Sequence, residues 1–313
     1  MERLTSDRPI PDDFRDAVVA LGNFDGFHRG HQAVVSRARA IAQAEQRRLI
    51  VATFSPHPAQ IFRPGAPSFR LTTLDQREAL FAAAGADAML VFHFDKAMAA
   101  VSARDFVCDW LADRIGAAVV VTGEDFTFGQ ARSGNVSVLG EVGRACGLRT
   151  EAVGALADED GPISSSRIRA ALQAGDCETA TRLLSRPFAI EGIVGHGDKL
   201  GRTIGYPTAN IALDDYLRPA YGIYAVRGVL DDGTVLGGAA NLGVRPTFEP
   251  PKELLEPYFF DFSGDLYGQR IAVQLIHYIR SEAKFADLDT LVAQMDRDCA
   301  EAKRILADNA PLA

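Results

Sequence analysis

A-V-V-A-L-G-N-F-D-G-F-H-R-G-H-Q-A-V-V, residues 17–35, decides how the first half of the chain folds. Ala17 to Leu21 is apolar on both faces, which predicts a short buried strand. Gly22 and Gly26 let the backbone turn tightly and approach a ligand. A helix beginning near Gly30 then aims free N–H groups and a positive dipole end at that turn, an arrangement that favours phosphate. His28 and His31, three residues apart, lie on one side of the helix start. They offer hydrogen-bond donors to a triphosphate without the permanent charge of lysine. The same two histidines would equally serve to cap a helix or to face solvent.

Outward from this stretch, strand and helix alternate. Arg48 to Phe54, Ala88 to Phe92, Ala118 to Thr122 and Leu148 to Val153 read as strands. Gln32 to Gln46, Leu74 to Ala84, Ala103 to Ile115 and Val136 to Cys146 read as helices. Strands apolar on both faces and separated by helices predict a parallel α/β sheet covered on both sides. Two helices follow, Ser164 to Ala174 and Asp176 to Leu184. Beyond Ser185-Arg186-Pro187 the pattern changes to glycine-punctuated β segments, F-A-I-E-G-I-V-G, Y-G-I-Y-A-V-R-G-V-L, E-P-Y-F-F-D-F and Q-R-I-A-V-Q-L-I-H-Y-I, with D-D-G-T at a hairpin. These predict an antiparallel barrel or sandwich. An amphipathic helix from about Ala286 closes the chain, with Leu288, Leu291, Val292, Met295 and Cys299 on one face and Ile305 and Leu306 extending it. The expected domains are residues 1–185 and 186–313.

The composition, 47% hydrophobic and 24% charged, is that of a soluble globular protein. A net charge of -8 argues against nucleic acid or an anionic membrane as a bulk partner. M-E-R-L-T-S-D-R at the start is no secretory signal, and no apolar run is long enough to span a bilayer. Cys108, Cys146, Cys177 and Cys299 are scattered without a C-x-x-C, which predicts reduced cysteines in a cytoplasmic protein.

Two further stretches carry chemistry. I-S-S-S-R-I-R, residues 163–169, sets serines at a helix start, where they cap the helix or bind phosphate, with arginines beside them. G-H-G-D-K-L-G-R-T-I-G-Y-P-T-A-N-I, residues 195–211, is glycine-rich but lacks the G-x-x-x-x-G-K-[ST] pattern of a Walker A loop. Within it, Thr208 and Asn210 present a hydroxyl and an amide two residues apart, on one side of a strand. Both suit magnesium bridging phosphates.

H-x-G-H together with I-S-S-S-x-x-R resembles the nucleotidylyltransferase superfamily, with Ser166 standing where threonine is common. G-N-F-D-G-F-H-R-G-H, T-F-S-P-H-P, R-L-T-T-L and T-G-E-D-F-T-F-G resemble, more closely, the first domain of the bacterial bifunctional riboflavin kinase/FMN adenylyltransferases, the prokaryotic FAD synthetases. P-T-A-N, N-L-G-V-R-P-T-F, L-E-P-Y-F-F-D-F and S-G-D-L-Y-G resemble their riboflavin kinase domain. The resemblance implies a Rossmann-like sheet of the nucleotidylyltransferase type, followed by a six-stranded antiparallel barrel with a C-terminal helix. It implies phosphorylation of riboflavin by ATP and then adenylylation of FMN to FAD, with Mg2+ as the metal and flavins as substrates and products.

The resemblance also assigns residues. His28 and His31 bind the ATP phosphates, on a turn formed by Gly22, Asn23, Phe24, Asp25 and Gly30. Ser164, Ser165, Ser166, Arg167 and Arg169 belong to the nucleotide, with Ser165, Ser166 and Arg169 holding the departing pyrophosphate. Asp125 lies near ribose and flavin. Phe54, His57, Pro58, Phe62, Phe126 and Phe128 are candidates for the flavin pocket, although each phenylalanine equally suits a core. In the second domain Gly195, Gly197, Lys199, Gly201 and Arg202 form the glycine-rich nucleotide loop. Thr208 and Asn210 take the metal, and Glu256 is the general base. Arg280 and Phe285 form a lip over the flavin. Pro257 cannot donate to a ladder, so an edge or a bulge is expected there.

Two rival readings remain at this stage. One is an adenylyltransferase for a pyridine nucleotide or phosphopantetheine fused to an unrelated barrel. The other is a flavin-binding protein with silent sites. The oligomeric state is open.

Overall fold

Six parallel strands form the first sheet: β1 (Glu2–Thr5), β2 (Val18–Leu21), β3 (Leu49–Ser55), β4 (Ala88–His93), β5 (Val119–Gly123) and β6 (Arg149–Val153), in the order β1-β4-β3-β2-β5-β6. The computed structural model describes residues 1–63, 65, 67–195, 206–245 and 252–309. The chain divides into two units, Met1–Pro67 with Thr72–Ser165, and Ser68–Leu71 with Ser166–Ala313.

The period-2 alternation of each strand sends its apolar side chains to two cores. Val18, Ala20, Val51, Met89 and Val121 face one side, against α1 (Arg29–Ala44) and α3 (Leu74–Ala83). Val19, Leu21, Ile50, Leu90 and Val120 face the other, against residues 106–114 and α6 (Val136–Ala145). Helix α1 buries Val34, Val35, Ala38 and Ile41 on one stripe. Each of its branched residues stabilises by about 1.5–3 kcal/mol when fully buried. Short helices α2 (Pro58–Phe62), α4 (Lys96–Ala99) and α5 (Ala103–Asp105) complete the connections. From β2 the chain crosses to β3, whereas from β5 it crosses to β6 on the opposite side. The carboxyl ends of β2 and β5 therefore flank the point where the winding reverses, which is where open α/β sheets bind ligands.

The helix expected over Ala103–Ile115 departs from regular winding. After α5 the segment Phe106–Arg114 is a π-helix. Its wider turn sets Phe106 and Trp110 against Phe92, at 5.7 and 6.1 Å between ring centroids. The expectation of four reduced cysteines is also corrected. Cys108 on the π segment and Cys146 after α6 form a disulfide, with their Cα atoms 5.6 Å apart. Both segments pack on the same face of the sheet, which brings together residues that the sequence separates by 38. Cys177 and Cys299 are free. Burial pushes the Cys177 thiol up to about 12 and the Cys299 thiol up to about 11.

The second unit takes up from Ser166, the second residue of α7 (Ser165–Gln173), and continues with α8 (Cys177–Leu184, capped by Asp176). A small antiparallel pair, β7 (Ala157–Asp158) and β8 (Gly161–Pro162), precedes α7. The barrel strands are β9 (Phe188–Ile193), β10 (Ile211–Ala212), β11 (Gly222–Leu230), β12 (Val235–Arg245), β13 (Lys252–Phe259) and β14 (Arg270–Arg280), all antiparallel in the order β10-β13-β12-β11-β14-β9. The two end strands are joined by a bridge between Gly195 and Asn210, so the sheet is nearly closed. Gly228 on β11 makes room for Phe259: a Cβ there would lie 2.5 Å from its ring.

The C-terminal helix, Leu288–Asp308, packs on β11, β12 and β14 through Cys299, Ala302, Ile305 and Leu306. Leu288, expected on its buried face, is 54% exposed, because only the second half of the helix reaches the barrel's apolar patch of Ala225, Ala239 and Ile276.

Candidate active sites

The turn after β2 is built on unusual backbone. Phe24 and Phe27 have φ of 49° and 43°, and Gly26 lies between them at 83°. Two bulky residues in the left-handed region cost free energy that the surroundings must offset. Packing supplies part of it. Phe24 and Phe27 are buried and meet Phe81 edge-on at 5.8 and 5.1 Å. A buried polar network supplies the rest. Asp25 is 2% exposed and accepts from the N–H and hydroxyl of Thr72 at 3.1 and 3.3 Å. Arg77 is equally buried, lies 3.8 Å from Asp25, and donates to Asn23 O, Thr53 Oγ1 and Thr72 O. Asp25 thus shapes the loop rather than facing out of it.

His28 is the N-cap of α1. Its Nδ1 accepts the backbone N–H of His31 at 3.3 Å, and the two rings stack. His28 is buried and His31 half-buried. Capping engages Nδ1 of His28. The Oδ1 atom of Asn23 is buried without a hydrogen-bond partner, an unpaid cost that a ligand donor in this loop would remove. Within the first unit, Ser165 Oγ donates to Asp25 O at 2.8 Å, so Ser165 lies beside the same loop. Ser164 is half-buried and Ser166 exposed. In the second unit Arg167 is half-buried, and Arg169 donates from Nε to Phe69 O at 2.8 Å with its guanidinium over the Phe69 ring.

The aromatic candidates form one cluster at the carboxyl side of β3, β4 and β5. Phe54 stacks on Phe92 at 5.2 Å, Phe128 touches Phe106 at 5.6 Å, and Phe126 stacks on Phe128. Phe54 and Phe128 are core residues, whereas Phe126 is half-buried and Phe62 is 65% exposed, edge-on to Phe94. His57 caps α2, with Pro58 in its first turn. Asp125 is exposed.

In the barrel, strand register lines up the candidates. Glu256 pairs with Asn241, Asn241 with Ile223, and Ile223 with Arg280. On the other side Ile211 pairs with Leu255, and continuing that register by one residue sets Asn210 opposite Glu256. Asn210 in turn bridges Gly195. One row across the sheet therefore carries Gly195, Asn210, Glu256, Asn241, Ile223 and Arg280. Thr208 and Asn210 flank buried Ala209 and so share a face.

Pro257 is accommodated without a bulge. Its carbonyl accepts from Ala209 N at 2.9 Å, and its missing N–H falls where the two-residue β10 has already ended. Arg280 holds Asp298 through three hydrogen bonds of 2.6–3.1 Å and lies over the Phe285 ring. Gly197, Lys199, Gly201 and Arg202 lie outside the described residues. Sequence reasoning missed Thr53, Thr72 and Arg77 as supports and Asn241 as a neighbour of Glu256. Thr53, Thr72 and Asn241 did fall inside quoted motifs, T-F-S-P-H-P, R-L-T-T-L and N-L-G-V-R-P-T-F.

Comparison with known proteins decides the family. A family model described as FAD synthetase matches residues 10–167, and one described as riboflavin kinase matches residues 184–306. The bifunctional riboflavin kinase/FMN adenylyltransferase of Escherichia coli (strain K12) is 38% identical over 90% of each chain. The chain belongs to the bifunctional riboflavin kinase/FMN adenylyltransferase family. The Bacillus subtilis (strain 168) member is 38% identical over 96% of this chain and 95% of its own. A crystal structure named as a macrolide-efflux protein from Streptococcus pneumoniae matches with a TM-score of 0.86 and 31% identity, over 97% of this chain and 99% of that one. Efflux is said of that protein alone. Among the described residues here no helix is long and apolar enough to cross a membrane.

Proposed function

We propose that this chain phosphorylates riboflavin with ATP to give FMN, then adenylylates FMN with a second ATP to give FAD and pyrophosphate. The observation that carries the reading is the pair of family matches falling on two separate constellations, the capped H-x-G-H turn at the sheet's switch point and the Asn210–Glu256–Asn241 row of the barrel. The functional domains are residues 1–185 and 186–313. The enzyme works in the cytoplasm, the compartment that supplies ATP.

In the kinase step the ribityl 5′-hydroxyl oxygen attacks the γ-phosphorus of ATP. The bond from that phosphorus to the bridging oxygen breaks, ADP leaves, and Glu256 takes the hydroxyl proton. A carboxylate suits because it orients the hydroxyl first and accepts the proton late. The hydroxyl of Thr208 and the amide oxygen of Asn210, on one face beside Glu256, fit Mg2+ as hard oxygen donors. Magnesium usually takes only one or two protein ligands and the rest from phosphates. When bound, the ion neutralises phosphate charge.

In the adenylyl step a phosphate oxygen of FMN attacks the α-phosphorus, and the bond to the pyrophosphate oxygen breaks. His28 and His31 hold the ATP phosphates at the α1 N-terminus, and Ser165, Ser166 and Arg169 receive the pyrophosphate. Exposed Phe62 and half-buried Phe126 offer apolar surface to the isoalloxazine ring. The catalysis is positioning and charge stabilisation, without a covalent enzyme intermediate.

The test is to incubate the purified chain with riboflavin, ATP and magnesium and to separate the flavins over time. FMN followed by FAD is expected. Unchanged riboflavin, together with unchanged FMN when that is supplied instead, overturns the reading.

A further inference from the structure

We infer that Asn241 is a substrate-positioning residue of the kinase site, whose side-chain oxygen accepts a hydrogen bond from a hydroxyl of the riboflavin side chain. The inference rests on the proposed riboflavin kinase activity and adds to it the residue that recognises the polyol.

Three observations converge. Asn241 on β12 is the direct antiparallel partner of Glu256 on β13, so the two side chains stand next to each other on one face of the sheet. The Oδ1 atom of Asn241 is buried and has no hydrogen-bond partner. Its other neighbour in the row, Ile223, carries no polar atom to satisfy it. A buried acceptor left unpaired costs stability. Such an atom persists where a ligand completes it.

The chemistry of the missing partner follows from the atom. An amide oxygen needs a donor. ATP offers phosphate acceptors on the side of Asn210, whereas a flavin carries a chain of hydroxyls that ends at the group facing Glu256. An acceptor one strand beyond the base, toward Arg280, lies along the path of that chain rather than along the phosphates. Asn241 thereby selects a hydroxylated side chain and fixes its terminal oxygen relative to Glu256.

The experiment measures KM for riboflavin and for ATP in the full chain and in Asn241→Leu and Asn241→Ala, with thermal melting alongside. Asn241→Leu, close in volume, removes the unpaired oxygen. It is expected to leave the melting temperature unchanged or higher while raising the riboflavin KM by about ten- to hundredfold, with the ATP KM kept within about threefold. A flavin whose N10 substituent is a plain hydroxyalkyl chain, with only the terminal hydroxyl, is expected to lose the same factor in the wild-type chain and little more in the variants.

An unchanged riboflavin KM, or a rise in the ATP or magnesium requirement instead, overturns the inference. So does a fall in melting temperature in Asn241→Leu with no change in KM, which marks a purely structural role. Should Asn241→Ala not fold, Asn241→Leu and the analogue decide between the same outcomes. A wild-type chain that leaves riboflavin unphosphorylated overturns the proposed function itself, whatever the variants do.

Discussion

The imidazoles of His28 and His31 lie face to face, 3.6 Å between ring centroids and 20° between planes. The N–H of His31 donates to Nδ1 of His28, so the neutral His28 ring carries its proton on Nε2. In the proposed adenylyl site that nitrogen would be the donor that faces the ATP phosphates. The stack depends on residue 30 being glycine, since a Cβ there would sit 3.1 Å from Cε1 and 3.2 Å from Nδ1 of His28.

Gly30→Ala therefore tests the stack without removing either ring. Pushing His28 aside by a few tenths of an ångström is expected to slow FMN adenylylation by about tenfold or more, because a small misplacement is costly in a positioned site. Phosphorylation of riboflavin should proceed at the wild-type rate. The double change His28→Ala with His31→Ala should stop FAD formation while FMN accumulates. FAD made at normal rates by either variant would place the adenylyl site elsewhere.

The buried pair of Asp25 and Arg77 holds the same turn from below. Arg77→Met strands the Asp25 carboxylate and is expected to cost about 3–5 kcal/mol. Chemical denaturation followed by tryptophan fluorescence reads this directly, since the one Trp of the chain, Trp110, packs in the first unit. A midpoint equal to wild type would show that Asp25 does not depend on Arg77.

Glu256→Gln keeps the side chain's shape and removes its proton affinity. FMN production from riboflavin should fall by about 10²–10⁴, the usual share of a general base, while FMN supplied directly still becomes FAD. A kinase rate near wild type would remove Glu256 as the base.

Glu253, on the same strand, has a different character. Its carboxyl is held below the usual carboxylate range, first by the hydrogen bond from Arg218, against burial, with Tyr221 adding a second hydrogen bond. A depressed pKa contributes stability that is present above the unfolded value of about 4.3 and lost as pH falls through the folded value. Glu253→Gln should therefore lower the melting temperature at pH 7, and the gap to wild type should close below about pH 4. Because the pair is partly exposed, the effect is modest and weakens in salt. A gap that does not narrow as pH falls below about 4 would show that the carboxylate's charge is not what Glu253 contributes.

Much of the fold was legible because its signals are local. Strands β2 to β5 of the first sheet are apolar on both faces, and the caps at His28, Thr73, Asp176 and Asp287 sit where their side chains meet the next turn. β1 was missed because only Leu4 of its four residues is buried. β12 was missed because its glycines dilute the strand pattern, and at Gly238 a Cβ would come within 2.4 Å of the Tyr258 carbonyl oxygen. The Cys108–Cys146 pairing left no trace in the spacing, since two segments packed on one face of the sheet bring those residues together.

The sequence by itself determined the α/β-then-barrel order, the two histidines at a helix start, and the motifs that mark the family. Those depend on neighbours within a turn or a strand, so residue type and spacing suffice. Only the tertiary structure decided that Asp25 is a buried support held by Thr72 and Arg77, and that the winding reverses between β2 and β5. It alone decided that Pro257 sits where β10 has run out, and that Asn241 stands beside Glu256. Strand order and register arise from long-range pairing, in which residues far apart in the chain choose each other by shape and burial. No local pattern encodes that choice.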